Sequence, residues 1–576
     1  LYFVIGLSVT LGVFNLLPGF PLSIVDSGEP SPVFANLRRR VRNKPADQVG
    51  KQQLLVPTSG GTVLALKSNA QPFPGWPARV DPLHLHAGSR AFASGAVSTA
   101  QYEALGNGLA VGDLDGDGWQ EVVGATLAGK LYVWDRHGNR RPGFPVATNP
   151  TFSSRTIRDE FNRLQRGIVG APVLADLDGD GTLEIIAGAM DRHVYVWRHD
   201  GTPQPGWPVL AIDRTQMAAI DPVTHRVTPK VVGGQAVALQ GTKIVSTPAV
   251  GPLRGDGVPV LIVTTNEEYR EAPAFSSTGH STASIFLALD LFARANGRVY
   301  AIPAGGNNDP TVSANPAGPY LAGWPAKVAV LRDELLPWIE GVPGSPALAD
   351  VDGDGQLEVG ISAVIGPAYL LQADGSSFFG NGPDSLPLTF PSDKSTFGAR
   401  TNSIDGPSFP ALGSGSFARL DGEMAFVTPG GGLGRLLDTA APAEQLAHDS
   451  HLLVWNARTR AMLPAFPRVM DDMQFLTNPT IADIDGDHRP ELLAGSGGYL
   501  VHAFSTTGTE AAGWPKFTGG WLIASPAIGS FGRRAAVAVT TREGNLYVWR
   551  ARGSVADRPW GRFHHDARNT GWYQGD

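Results

Sequence analysis

The chain has 576 residues, with 46 Lys and Arg against 53 Asp and Glu for a formal net charge of −7, and it contains 71 Gly, 46 Pro and no Cys. The absence of Cys excludes disulfide staples, thiolate-bound metals and a thiol nucleophile. The acidic balance, relieved only by the short cluster Arg38-Arg39-Arg40, argues against a nucleic-acid surface. Gly and Pro are spread along the chain at turn positions, which favours a folded array of many short elements over a disordered tract.

Residues 1–17 are uncharged and apolar apart from Ser8, Thr10 and Asn15. They read as the remnant of a signal peptide or membrane anchor, or as a strand, since Leu11-Gly-Val-Phe14 fits a strand pattern found again below. From residue 18 onward the chain repeats itself. A unit opens with a short apolar strand after Pro or a small residue, as in Ala171-Pro-Val-Leu-Ala175, and runs through an acidic loop into a β-branched stretch, Glu184-Ile-Ile-Ala-Gly188. A turn leads to an aromatic strand, His193-Val-Tyr-Val-Trp197, and the unit closes on Pro205-Gly-Trp-Pro208. That makes four strands per unit.

The aromatic strand recurs at 63–66, 131–134, 194–197, 299–302, 368–371, 452–455, 500–504 and 546–549. The opening strand recurs around Pro32, Ala110, Pro172, Pro248, Pro346, Pro410, Pro479 and Pro526. The closing phrase appears at 18–21, 74–77, 142–145, 205–208, 323–325, 390–391, 465–467 and 513–515. The last unit lacks this phrase and the N-terminus carries a spare one, so residues 18–25 are expected to supply the outer strand of the final unit. The expected fold is therefore all-β: one β-propeller domain over 18–576, with four-stranded blades and closure by an N-terminal strand. Eight blades are preferred and seven are the alternative, because the Pro32 and Pro410 units are irregular. Segments 78–106, 209–245, 266–322 around the strand at 299–302, 372–406 and 429–450 exceed what a blade needs and read as insertions, where recognition usually resides.

Four units carry the loop Asp-x-Asp-Gly-Asp-x-x-x-Glu, starting at Asp113, Asp176, Asp350 and Asp483. Carboxylates at positions 1, 3, 5 and 9 with a carbonyl at position 7 are the spacing by which a short loop wraps a hard dication in oxygen. The candidate ligands are Asp113, Asp115, Asp117, Trp119 and Glu121; Asp176, Asp178, Asp180, Thr182 and Glu184; Asp350, Asp352, Asp354, Gln356 and Glu358; and Asp483, Asp485, Asp487, Arg489 and Glu491. Trp119, Thr182, Gln356 and Arg489 would ligate through their backbone carbonyls. Calcium suits such a flexible all-protein donor set better than magnesium, which keeps its waters, or zinc, which prefers His and Cys. About four structural calcium ions are expected. The fourth loop is the weakest, with His488 where the others have Gly. At Pro252-Leu-Arg254-Gly-Asp256-Gly-Val-Pro-Val260 a single carboxylate remains, so the Arg254-Gly-Asp256 tripeptide reads as a decayed loop.

The motif Asp-x-Asp-Gly-Asp-Gly-x-x-Glu, followed by Tyr-Val-Trp and Pro-Gly-Phe/Trp-Pro, resembles the bacterial FG-GAP/VCBS repeat proteins, whose calcium loops are similar to those of integrin α-subunit propellers. The ending Pro559-Trp-Gly-Arg-Phe-His-His-Asp-Ala-Arg-Asn-Thr-Gly571 resembles the closing segment of such proteins. The resemblance implies a calcium propeller and leaves activity open.

No Gly-x-Ser-x-Gly elbow, His-Glu-x-x-His or phosphate-binding loop is present. His564-His565-Asp566 reads as part of the closure. Asp471-Asp472 and Glu267-Glu268, if on strands, would face opposite ways. The expectation is a secreted or cell-surface, extracytoplasmic protein of bacterial origin that binds protein or glycan ligands through its insertions without catalysis, touching a membrane only through an N-terminal anchor. The alternative is a calcium-dependent polysaccharide lyase resembling the rhamnogalacturonan type, which would need a basic residue facing an acidic sugar from the central face.

Overall fold

The computed structural model describes residues 15–24, 26–38, 51–83, 88, 90–96, 101–153, 166–237, 243–267, 269, 297–328, 341–363, 368–381, 390, 413–431, 450–474, 477–531, 534–554 and 558–575. Most of residues 1–17, many of the insertion residues, and Glu268 and Pro410 lie outside the described residues. Among the described residues no helix is long and apolar enough to cross a membrane.

Among the described residues eight antiparallel sheets form the ring, numbered as blades 1–8 in the chain order of their inner strands, seven with four strands and one with three, and two small hairpins lie in an insertion. Blade 3 is typical. Its strands Val173–Ala175, Glu184–Gly188, His193–Trp197 and Val209–Leu210 are neighbours in the sheet in chain order. The described strands of blade 5 are Ala347–Ala349, Glu358–Ser362 and Ala368–Leu371, and Phe390 donates its N–H to the Ala368 carbonyl beside the last of them. Blade 8 comprises Ala527–Phe531, Arg534–Thr540, Asn545–Arg550 and, from the other end of the chain, Leu22–Ser23, with Leu22 opposite Leu546 and Ser23 opposite Asn545. The expected ring closure by residues 18–25 is thus present, and eight blades stand in place of the alternative seven.

The sixth unit differs from expectation. Its inner strand is Ser416–Leu420, further along than Pro410, and a two-residue turn at Asp421-Gly422 joins it to Glu423–Gly431 in place of an acidic loop. The insertion read as 429–450 therefore starts after Gly431, because the second strand runs longer than the repeat suggests.

Both faces of each blade are covered by neighbouring blades, so the second strands are continuously buried and apolar with no polar alternation. The core is divided into layers between neighbouring sheets. Val111, Tyr132 and Trp134 of blade 2 meet Val33, Leu55 and Trp76 of blade 1, and Phe20, Phe34 and Phe531 join blade 8 to blade 1. Each fully buried side chain of this size contributes about 1.5–3 kcal/mol.

The closing phrase acts between blades. The Trp76, Trp207 and Trp324 indoles donate to the carbonyls of Arg136, Ala304 and Ala373, just beyond the third strand of the following blade. Gly75, at φ +90°, sits so close to that turn that an added Cβ would lie 2.0 Å from the His137 oxygen. Tyrosines clamp the opposite end. The Tyr132 hydroxyl accepts from Asp81 N–H after blade 1 and donates to Glu103. Tyr195 accepts from Asn149 N–H and donates to Asp191.

Around the axis, the residues just ahead of the inner strands form a closed belt. Backbone N–H groups of Ala171, Thr247, Ser345, Asn478 and Ser525 donate to the hydroxyls of Thr247, Ser345, Ser414, Ser525 and Ser31. Carbonyls of Thr477, Asn107 and Val169 accept from Ser414, Ser31 and Asn107 to complete the circuit. The Ser/Thr-Pro pairs that open several units are this belt.

The C-terminal segment packs against the inner strands in turn. Inner-strand N–H groups of Ile481, Ile528, Val111, Leu174, Val250 and Leu348 donate to the carbonyls of Trp560, Gly561, Ala567, Arg568, Thr570 and Gly571. It visits blades 7, 8, 2, 3, 4 and 5 in that order. Asn478 anchors it. Its Oδ1 accepts from Trp560 Nε1 (2.8 Å) and His564 N (3.0 Å), and its Nδ2 donates to Ser414 O, Gly415 O and Ser416 Oγ.

Candidate metal sites on one rim of the ring

In blades 2, 3, 5 and 7 the acidic loop joins the inner strand to the second strand. The first Asp directly follows the former and the Glu begins the latter, so the loops lie at equivalent places on one rim. The N–H groups bonded to the C-terminal segment lie only two residues ahead of Asp113, Asp176, Asp350 and Asp483, which puts that segment at the same end of the axis.

Hydrogen bonds within each loop fix its shape. In the second loop Asp176 accepts from Gly179 N–H (2.7 Å) and Gly181 N–H (3.0 Å), Asp178 from Asp180 N–H (3.3 Å), Asp180 from Thr182 N–H (2.8 Å) and Glu184 from Leu177 N–H (2.8 Å). The third and fourth loops repeat the pattern, with Glu358 accepting from Val351 and Glu491 from Ile484. The first loop shares it through Asp113 with Gly118 and Glu121 with Leu114. His488 takes φ +68° where the other loops have Gly near +90°, so the fourth loop holds a side chain in a conformation that favours Gly.

Folding brings positions 1, 3 and 9 together. One carboxylate oxygen from each of Asp113, Asp115 and Glu121 lies within 4.8 Å of the others, and the same holds for Asp176, Asp178 and Glu184; Asp350, Asp352 and Glu358; and Asp483, Asp485 and Glu491. The position-5 carboxylates of Asp117, Asp180, Asp354 and Asp487 stand outside these groups, each accepting the N–H at position 7. Burial, helped by the neighbouring Asp charges, pushes Glu184 and Glu491 up to about 7 and Glu358 to about 8. Glu121 rises to about 7 for the same reason, against the pull of Leu114 N–H and Arg141. Three converging anionic oxygens, one of them on a buried Glu, fit a hard dication and offer nothing to a soft one.

The first loop holds a residue that sequence reading passed over. Arg141 Nη2 lies 2.6 Å from Asp115 Oδ2 and its Nη1 lies 3.0 Å from Glu121 Oε1. Burial pushes Asp115 up, but the guanidinium outweighs it and holds that carboxyl below its ordinary value. Its signal was the residue directly before the Pro-Gly-Phe-Pro phrase.

The decayed loop keeps the turn without the ligands. Gly255 and Gly257 have φ +71° and +78°, Asp256 accepts from Val258 N–H, and Leu357 N–H of the third loop donates to the Leu253 carbonyl. Positions 1, 3 and 9 are Pro252, Arg254 and Val260.

The remaining candidates are engaged by hydrogen bonds within the fold. Both ring nitrogens of His564 face carbonyl oxygens, Asn569 at 2.7 Å and Pro346 at 3.0 Å, and burial lowers the ring to about 4. Glu267 is buried, accepting from the Tyr300 hydroxyl (2.6 Å) and Thr265. Asp471 meets His502 Nε2 at 2.6 Å, and His502 Nδ1 meets Glu510.

Burial opposes protonation of His502, but the two carboxylates outweigh it and raise the ring to about 9. The folded value lies above the unfolded ~6.5, so this stabilisation is complete below about pH 6.5 and is lost as pH rises through 9. With screening at the half-exposed Asp471, roughly 1–2 kcal/mol is at stake. Melting curves from pH 6 to 10 are expected to show this decline and His502→Gln to flatten it; equal slopes for the two proteins would rule it out.

Residues 113–187, which span the first two acidic loops, match the family described as the FG-GAP-like repeat. No curated protein matches the chain. Among solved structures, a europium-containing methanol dehydrogenase is 12% identical with a TM-score of 0.49, covering 94% of this chain and 94% of that one. The quinohemoprotein alcohol dehydrogenase of Comamonas testosteroni is 12% identical at TM-score 0.48, covering 93% and 79%, and BamB of Moraxella catarrhalis is 10% identical at 0.44, covering 91% and 99%. At these values the likeness carries nothing about activity. The chain is thus an eight-bladed β-propeller whose residues 113–187, in blades 2 and 3, match the FG-GAP-like repeat.

Proposed function

We propose that the chain is a calcium-stabilised, secreted or cell-surface propeller that binds protein or glycan ligands through its insertions. The observation that carries this reading is the convergence of three carboxylates in each of four loops at equivalent points of one rim. Calcium there would be held by positions 1, 3 and 9, with the position-5 carboxylates and the position-7 carbonyls of Trp119, Thr182, Gln356 and Arg489 as further candidates. It supplies charge neutralisation at the turn that leads each inner strand outward.

The insertions favour recognition over chemistry. Val223, Val231 and Val232 of the 209–245 insertion are 70%, 65% and 69% exposed, the highest values for large apolar side chains among the described residues. Long loops on a rigid scaffold are where recognition usually resides. The lyase alternative draws no support from the axis at the loop end, where the C-terminal segment packs against the inner strands of six blades.

Two tests separate the parts of this reading. Glu358→Gln keeps the Glu shape and removes one anionic ligand, so calcium titration by calorimetry is expected to show one site lost and the melting point to fall by the equivalent of about 2–3 kcal/mol at free calcium ~100-fold above Kd. An unchanged titration would exclude the third loop. Incubation with a panel of acidic and neutral polysaccharides in calcium buffer, followed by ultraviolet absorbance, is expected to give no unsaturated product. A rising signal would overturn the non-catalytic reading.

A further inference from the structure

The four acidic loops are alike in their own residues and unlike in what stands over them. In each of these blades the residue seven positions beyond the end of the third strand folds back so that its N–H donates to that strand: Arg141 to Val133 O, Gln204 to Val196 O, Phe378 to Leu370 O and Ala511 to Ala503 O. The backbone places these four residues equivalently, and their side chains differ in charge. Arg141 spans two of the three triad carboxylates of the first loop, Asp115 and Glu121. Gln204 donates a single neutral hydrogen bond to Asp178 at 3.0 Å. Phe378 and Ala511 carry no polar side-chain atom.

We propose that Arg141 takes the place of a cation in the first loop, so that the ring holds ions at three loops, those beginning at Asp176, Asp350 and Asp483. The proposal rests on the calcium reading of the other loops. A guanidinium is permanently charged, and its fork satisfies two carboxylates at once through charge-assisted hydrogen bonds. A dication entering the same oxygens would have to break both of them and then sit beside the displaced positive group. Gln204 imposes no comparable conflict, because it is uncharged and touches one triad carboxylate alone, its own oxygen accepting from Arg198 Nε at 2.6 Å. Blade 2 would therefore keep its rim turn in the absence of calcium, while blades 3, 5 and 7 would not.

The first loop also contains its own reporter. Its position 7 is Trp119, whereas the other loops have Thr182, Gln356 and Arg489 there. Terbium, which binds calcium loops and emits when an adjacent indole is excited, reports on this loop through Trp119. Calcium bound per chain, measured by equilibrium dialysis of the full chain, is expected to be about three for the wild type and about four for Arg141→Gln. Terbium emission of the wild type is expected to be unaffected by Trp119→Phe. Arg141→Gln should gain emission that Trp119→Phe removes. Four calcium ions on the wild type, with terbium emission that depends on Trp119, would overturn the proposal and leave the calcium reading standing. No calcium on either protein would sink both. If Arg141→Gln does not fold, the wild-type count and its response to Trp119→Phe decide alone.

Discussion

Exhaustive chelation of the purified protein is expected to lower its melting temperature by roughly 5–10 °C. At free calcium ~100-fold above Kd, each occupied loop contributes about 2.7 kcal/mol, or about 8 kcal/mol for three. An unfolding entropy near ~2.1 cal/mol/K per residue turns this into a shift of about 7 °C for a chain of this length. The physical cause is local. Without a cation, three carboxylate oxygens within 4.8 Å are left facing one another, one from a buried Glu. Protonation or opening of the turn must relieve this, and either loosens the end of an inner strand. Scanning calorimetry with and without chelator measures the effect, and superimposable melts would sink structural calcium.

Asn478→Ala is expected to cost about 3–5 kcal/mol and to expose the C-terminal segment. The substitution leaves Trp560 Nε1 and His564 N–H buried without their acceptor, and it strips the donors from Ser414 O, Gly415 O and Ser416 Oγ. Each buried group so orphaned costs about 1–3 kcal/mol, softened by relaxation and water entry. Denaturant unfolding measures the loss, and limited proteolysis followed by mass spectrometry is expected to show early cleavage near residues 555–575. A variant with wild-type stability and an intact C-terminus would show that the axis is held by other contacts.

Much of the ring was legible because each repeat uses the same residue type at the same place in three dimensions. The aromatic strands mark third strands, and Pro-Gly-Trp-Pro marks the start of the outer strand, where Gly75 touches the next blade and Trp76 bonds to it. The loop ligands were legible for the same reason, since the triads form between residues at most eight positions apart along the chain. What the repeat did not mark stayed hidden. The inner strand of blade 6 has neither a Pro before it nor an acidic loop after it, so its place could be misjudged. Arg141 reaches the first loop across a β-hairpin, a relation that appears only once the third strand is paired. Asn478 reads as one more residue before a Pro, and its five side-chain hydrogen bonds draw on segments more than sixty residues away.

The pairing of Leu22–Ser23 with the last blade sets the order in which this molecule can be assembled. The belt contact from Ser525 to Ser31 joins residues 494 positions apart, and the outer strand of blade 8 comes from the beginning of the chain. While the chain is being made, its first strand has no sheet to join, and the growing stack presents unpaired edges at both ends. Closure is the last event, it carries a large loop-closure entropy, and it is expected to be slow. A nascent intermediate of seven blades is consequently a sticky open arc that must be shielded from its own copies until the eighth arrives.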